Sequence, residues 1–277
     1  MSPNGRAGHY RLRARFLLEW RDMKLVSLNT WGGSGGKENL LDFFKRHKDV
    51  DIFCLQEIWN GGDEMAGRLA GGVPLARIQT TLFSDIAKVL EGHVPYFRPQ
   101  IKDHYGLAMF VRKTLDLRKE GDIFVYKDKG YIHKDDFGDH ARNLQYATIE
   151  TNNGLRTIMN FHGIWTTQPE GKGKHDIPDR LLQSDNIVRF AKDLPDPYVL
   201  CGDFNLLPTT MSIKKLEDAG MRNLIKEYGV TSTRSSFYKK SERFADYAFT
   251  SPGIKVNDFK VLPDEVSDHL ALYLDFE

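Results

Sequence analysis

Bulk composition here is mostly a record of absences. The 277 residues contain only two cysteines, Cys54 and Cys201, each inside an apolar run. That excludes a disulfide framework and a thiolate metal centre, and both side chains read as small buried hydrophobes. No apolar run approaches the roughly 20 residues needed to span a bilayer. Phe16-Leu17-Leu18 is cut off by Glu19 and is too short for a signal-peptide core. A soluble, cytoplasmic protein with no stable membrane association is therefore expected. Net charge is nearly absent as well, at +1. Residues 1–22 carry five arginines against Glu19 and Asp22, which makes them +3 and leaves the remainder at −2. A body this close to neutral does not coat nucleic acid non-specifically. No Pro- or Ser-rich linker and no fixed-period repeat divides the chain. One domain of mixed α and β elements over residues 23–277 is expected, with a monomer favoured. Residues 1–22 lack an amphipathic pattern and read as a flexible extension, or as sequence upstream of a start at Met23.

Short apolar runs alternate with helical patterns from Lys24 onward. Strands are expected at 24–29, 51–56, 106–112, 123–126, 144–150, 155–161, 198–201, 246–250 and 271–276, all rich in β-branched and aromatic residues. A helix is expected over 38–47, where Leu40, Phe43, Phe44 and His47 share one face. A second runs from Asp179 to Lys192 behind Pro178, with Leu181, Val188 and Ala191 as its apolar stripe. A third covers 213–219, with Ser212 as N-cap and Gly220 as the stop. Asn152-Asn153-Gly154 is a hairpin turn signal.

What is present is polar chemistry at the ends of apolar strands. Buried strand tips seldom keep carboxylates and amides without a task, because an unpaired buried charge is costly. Six such places occur: Asn29 after Leu28, Gln56-Glu57 after Leu55, His162 after Phe161, Gly202-Asp203-Phe204-Asn205, Asp246 opening a strand, and Ser267-Asp268-His269. Each has a bland reading alone. Asn29, Asp203 and Asn205 could form turns. Glu57 and Asp246 could close strand ends, His162 could be a satisfied core histidine, and Asp268-His269 could be a surface pair. Together they supply hard oxygen ligands suited to Mg²⁺, groups to orient a water, and donors for a phosphoryl charge. No serine or cysteine stands in a context that suits a covalent nucleophile.

The order Asn, Gln-Glu, His, Gly-Asp-Phe-Asn, Asp, Ser-Asp-His, from residue 29 to residue 269, resembles the endonuclease/exonuclease/phosphatase superfamily. Its members include DNase I-like nucleases, AP endonucleases, inositol phosphatases and neutral sphingomyelinases. The resemblance implies a four-layer αββα sandwich of two mainly antiparallel sheets flanked by helices, with the site where the tips of both sheets converge. It implies Mg²⁺ or Mn²⁺ held by Glu57, with Asn29 and Asp268 as direct or water-mediated ligands. Asp203 would orient or deprotonate the attacking water, and Asn205 would hold it. His269, polarised by Asp246, would donate to a non-bridging oxygen, and His162 to the phosphate or the leaving oxygen.

Arg142 is a substrate-binding candidate, against the alternative of a solvated strand-edge charge. The segment Thr233–Lys240 mixes cations with aromatics and could hold a phosphate, although a solvated loop is the plainer reading. Lys172 and Lys174 in the loop after His162 stand likewise. Gly32-Gly33-Ser34-Gly35-Gly36 lacks the Lys-Ser/Thr ending of a P-loop. Gly202 either permits a close backbone approach or serves a plain turn. Trp31 stands where AP-endonuclease relatives carry an acid, which argues against abasic-site cleavage. The expected activity is hydrolysis of a phosphoester, preferably a phosphodiester, with nucleic acid among the candidate substrates. The alternatives are sphingomyelinase-like or phosphomonoesterase activity, and non-catalytic binding of phosphorylated ligands.

Overall fold

Alternation along the first strands decides the layering. The computed structural model describes residues 22–63, 75–167, 173–194 and 197–277; residues 1–21 of the expected extension, and Lys172, lie outside these. In β1 (Met23–Asn29) and β2 (Ile52–Trp59), Leu25, Ile52 and Cys54 point into a core shared by both sheets. Their neighbours Val26, Leu28, Phe53 and Leu55 point the other way, onto Leu40, Phe43 and Phe44 of α1 (Lys37–Arg46) and Leu82 and Ile86 of α2 (Leu82–Val89). This period of two is what a strand buried on both faces requires.

The first sheet runs β13-β14-β1-β2-β4-β3, adding β3 (His93–Ile101), β4 (Tyr105–Arg112), β13 (Val256–Val261) and β14 (Leu272–Phe276). The second runs β11-β12-β10-β9-β8-β5, from β5 (Asp116–Tyr126), β8 (Arg142–Thr151), β9 (Gly154–His162), β10 (Tyr198–Asp203), β11 (Arg222–Asn223) and β12 (Asp246–Thr250). A small hairpin pairs β6 (Ile132–His133) with β7 (Asp136–His140). In each large sheet every pairing is antiparallel except the central one, β1 with β2 and β9 with β10. The two sheets pack face to face, and α3 (Pro178–Lys192), α4 (Met211–Asp218) and α5 (Leu224–Glu227) lie on the second sheet's side. This is the expected αββα sandwich.

A buried polar seam crosses the apolar interior and fixes how the sheets sit on one another. Gln56 Nε2 donates to Asn160 Oδ1 at 2.7 Å. Asn160 Nδ2 lies 3.1 Å from the Leu55 carbonyl, and 3.2 Å from both the Ala108 carbonyl and Gln145 Oε1. Gln145 then donates back to the Tyr96 carbonyl of the first sheet at 3.0 Å. All three side chains are fully buried, so sliding one sheet would strand several donors at once.

Two local expectations are corrected, and the first of the two readings of Gly202 holds. Thr210, not Ser212, caps α4, accepting from Ile213 N, while Ser212 bonds Asp176. The inward stripe of α3 is Arg180, Gln183, Ser184, Ile187 and Ala191, a partly polar face in place of Leu181, with Val188 partly buried against the core beside it. Gly202 has φ +144°, and a Cβ there would lie 1.9 Å from the Phe161 carbonyl oxygen, so close approach of β9 and β10 is its task.

Candidate active site

The C-terminal tips of the two central parallel pairs end at one edge of the sandwich. In the first sheet Asn29 registers with Gln56, and in the second Asp203 registers with His162 and with Asp246. Parallel neighbours finish on the same side, so each pair delivers two polar tips to the same mouth. Glu57 needs an extra device. Strict alternation would send it under α1 with Phe53 and Leu55. A bulge sets Gln56 and Glu57 against a single residue of β4, and Glu57 adopts φ +57°. The bulge turns its carboxylate toward the mouth instead.

Asn29, fully buried, joins the two sheets chemically. Its Nδ2 donates to Glu57 Oε1 at 3.0 Å and to Asp203 Oδ2 at 2.9 Å, and its Oδ1 accepts from Trp31 N at 2.9 Å. Asp203 lies 3.8 Å from His162 Nε2 and 3.5 Å from His269 Nε2, and its Oδ1 accepts from Asn205 N at 2.8 Å. Asn205 sits at φ +53°, a conformation that asparagine tolerates better than most residues. Asp246 holds His269 Nδ1 with both oxygens, at 2.8 and 2.9 Å.

Electrostatics separates these groups into distinct states. Burial, and then the carboxylates of Asp268 and Asp203, push Glu57 up to about 7, against the hydrogen bond from Asn29. Burial would raise Asp203 too, but His269, His162, Arg234 and Lys174 hold it well below the usual carboxylate range. His162 is pushed down to about 3 by burial and by Arg142, so its ring is neutral. For His269, burial and Arg234 oppose the charge, yet Asp246, Asp268 and Asp203 prevail and raise its pKa.

These residues open on a cleft of about 760 Å³. Of the nine residues singled out from sequence, Glu57, Arg142, His162, Asp203, Asn205, Asp268 and His269 line it, and Asn29 and Asp246 stand directly behind Asp203 and His269. Arg142 is not a solvated edge charge. It is 1% exposed, donates Nη2 to the Gly138 carbonyl at 2.8 Å, and keeps Nε and Nη1 without protein partners among the described residues. Trp31, Glu57, Lys174 and Asn205 are four of the six described non-glycine residues with positive φ, and all four line the cleft. Strain of this kind costs on the order of 1–3 kcal/mol per residue and gathers at functional sites.

Sequence reasoning missed Arg180 and Trp165 and left Arg234 and Lys174 as loop charges; all four line the cleft. For Arg180 and Trp165 no local signal exists. For Arg234 the clue was the alternation of cations with aromatics around Tyr238, and for Lys174 its place in the glycine-containing loop after His162.

Buried Asp203, Asp246 and His269 offer ligand atoms within 4.8 Å of one another, a group able to hold a metal ion. Each of the three side chains, however, already takes part in internal hydrogen bonds. Asp268 Oδ1 is different: it is buried and accepts no hydrogen bond among the described residues. That bare oxygen, together with the mutual repulsion of Glu57, Asp268 and Asp203, fits a hard divalent cation on the Glu57 side.

The family model of the Endonuclease/Exonuclease/phosphatase family matches residues 26–269. No curated protein sequence matches the chain. Among solved structures, the endonuclease/exonuclease/phosphatase from Bacteroides vulgatus is similar with a TM-score of 0.67 at 16% identity, over 92% of this chain and 98% of that one. The mannosyl-6-phosphatase of Bacteroides thetaiotaomicron VPI-5482 gives 0.65 at 17% identity, over 92% and 99%. D. rerio TDP2, complexed with a single-strand DNA product, gives 0.63 at 14% identity, again over 92% and 99%. At such identities the likeness is one of fold.

Proposed function

The chain belongs to the Endonuclease/Exonuclease/phosphatase family, and from that premise we propose that it hydrolyses a phosphoester, preferably a phosphodiester, with Mg²⁺ or Mn²⁺ and by direct attack of water. One observation carries the reading. Asn29 ties the Glu57 carboxylate of one sheet to the Asp203 carboxylate of the other, and Asp203 in turn faces both His162 and His269.

In this reading Glu57 and Asp268 hold the cation, and Asn29 sets the spacing of the carboxylates around it. The cation would polarise a phosphoryl oxygen and stabilise the leaving alkoxide. Asp203 and Asn205 orient the water that attacks phosphorus. Asp203 is a poor base while four cationic or imidazole groups hold its pKa down. An arriving phosphate shares those partners and restores its basicity, so the proton leaves the water as the P–O ester bond breaks. Arg142 offers Nε and Nη1, unpartnered among the described residues, to the phosphate. In the free protein Arg234 Nη1 contacts His269 Nε2, which requires the ring's lone pair. An anion that draws Arg234 away frees the ring to take up the charge its three carboxylates favour, and to donate to a non-bridging oxygen. Neutral His162 donates from one nitrogen toward the leaving oxygen.

The test is a panel with Mg²⁺ or Mn²⁺ and with EDTA, covering a bis-aryl phosphate, an aryl monophosphate, single- and double-stranded DNA, RNA and a sphingomyelin analogue. EDTA-sensitive turnover is expected, with the preferred member naming the substrate class. Cation binding without turnover of any member would instead favour a non-catalytic binder of phosphorylated ligands. We assign the whole activity to residues 23–277; a chain lacking residues 1–22 that loses most turnover would refute that boundary.

A further inference from the structure

Arg142 is a buried cation that the fold leaves without a paired carboxylate among the described residues. The hydrogen-bond partner of its guanidinium there is the Gly138 carbonyl. Asp139, its neighbour in sequence, instead accepts from the Tyr126 hydroxyl at 2.9 Å. A lone buried charge is costly, so whatever stands beside it matters. His140, 4% exposed, lines the same cleft two residues away, with fully buried Ala141 between them. In an extended run, residues two apart face one side. His140 Nδ1 lies 2.9 Å from the Phe137 carbonyl. A carbonyl oxygen only accepts, so Nδ1 carries the proton. Burial first, and then the Arg142 charge, hold this histidine well below its ordinary range, so the ring is neutral. Its Nε2 is therefore a lone pair, buried and unpartnered among the described residues, as Arg142 Nε and Nη1 are. The negative end of the imidazole dipole thus meets a cation that no carboxylate pairs.

The ring is held from both sides. It meets Tyr105 in a T-shaped contact with centroids 5.7 Å apart, and Tyr105 meets Trp59 in another at 5.2 Å. Tyr105 and Trp59 are register partners in β4 and β2, and Trp59 stands two residues beyond Glu57. Opposite, the Phe137–Gly138 turn is shut against Trp165, because a Cβ at Gly138 would lie 2.1 Å from that ring. The same turn supplies both carbonyls, that of Phe137 to His140 and that of Gly138 to Arg142. We propose that His140 is a positioning residue for Arg142: backed by Tyr105, it holds the guanidinium at the cleft with a neutral acceptor, so that the charge stays available to the substrate phosphate. The inference rests on the phosphoesterase reading for the identity of that anion. A carboxylate in place of the imidazole would also hold the guanidinium, but it would compete with phosphate for the same donors. The competing account makes His140 a core histidine that only ties its turn together, as His93 is tied to the Val50 carbonyl.

Nitrogen NMR reads this geometry without any turnover. In the wild-type protein at about pH 7.5, His140 should show Nδ1 protonated and Nε2 bare. The opposite tautomer, or a protonated ring, overturns the proposal, and no variant is needed to see it. The Arg142 Nε–H resonance, identified by its disappearance in Arg142→Met, should be slow to exchange with solvent. His140→Leu keeps the bulk and removes the acceptor, and should speed that exchange at least about tenfold. His140→Gln, which can donate to Phe137 and accept from Arg142, should stay within about twofold of wild type. His93→Leu, at an equally buried histidine, should lower thermal stability and leave the Arg142 resonance unchanged. Inorganic phosphate, titrated in EDTA, then probes the anion. His140→Leu should weaken its binding about tenfold alone, but less than about twofold when Arg142→Met is already present. An Arg142 resonance that ignores His140→Leu, or losses that simply add across the two positions, supports the core-histidine account and overturns the proposal. Wild-type protein that binds no phosphate, while its Arg142 resonance follows His140, leaves the positioning role standing and sinks the phosphoesterase reading instead.

Discussion

The two sheets are built alike and contribute unlike chemistry. Each has a central parallel pair flanked by antiparallel strands, and each presents the C-terminal tips of that pair at the same edge. The first sheet brings Asn29 and Glu57, an amide and a carboxylate raised to about 7 that suits a cation. The second brings Arg142, His162, Asp203 and Asp246, to which the proposed mechanism gives the orienting and proton-transfer steps. Among the described residues the 267–269 segment, just before β14, serves both sides, with Asp268 on the side proposed for the cation and His269 held by Asp246 of the second sheet. In the proposed mechanism similar scaffolds thus divide the work: one half holds charge in place and the other moves protons. Folding brings the halves together through Asn29 and the Gln56–Asn160–Gln145 seam.

That division has consequences that can be tested in order of size. His269→Ala or Asp203→Ala, on the proton side, should lower kcat by roughly 10³-fold or more while circular dichroism shows an intact fold. Added Mg²⁺ or Mn²⁺ should not restore it, and undiminished turnover in either variant would remove that residue from the mechanism. Glu57→Gln, on the cation side, should weaken apparent metal affinity by roughly 10–100-fold, with much of the rate recovered at high metal concentration. If both classes of variant respond to metal in the same way, the two halves are not specialised as described.

Asn160→Ala breaks the seam rather than the site. It leaves Gln56 and Gln145 without their partner and should cost about 2–3 kcal/mol in urea unfolding. The smallest effect concerns acid. His93 and His140 are buried, each bonded to a carbonyl oxygen, and burial lowers both pKa values, His140 the more strongly. Below about pH 6.5 the unfolded chain takes up protons that the folded chain refuses, so stability is full above that value and declines as pH falls. His140→Gln should flatten this acid limb in melting scans between pH 8 and 5, and an unchanged limb would place its origin elsewhere.

The central strands were legible because their apolar pattern is long and clean. The strands that escaped notice lie at or near sheet edges, where other pressures shape the sequence. β3 carries Pro95 and Pro99, which a paired interior strand cannot accept, and β3 is bonded on one side only. β5 starts seven residues earlier than expected because its first half, Asp116 to Glu120, is charged as exposed edges tend to be. The inward face of α3 was misread because Arg180 and Gln183 turn inward while Leu181 is only half-buried. Helical period alone cannot report such an inversion.

By itself, the sequence determined which polar residues cap which apolar strands, since alternation and turn chemistry act over a few neighbouring positions. Its motif order also carried the family. Only the tertiary structure decided that Asn29 meets Asp203, 174 positions away, that a bulge turns Glu57 out from under α1, and that Arg234 and Lys174 face the Tyr238 ring. Those contacts depend on how two sheets stack and where loops return, and long-range packing of that kind leaves no periodic mark on the chain.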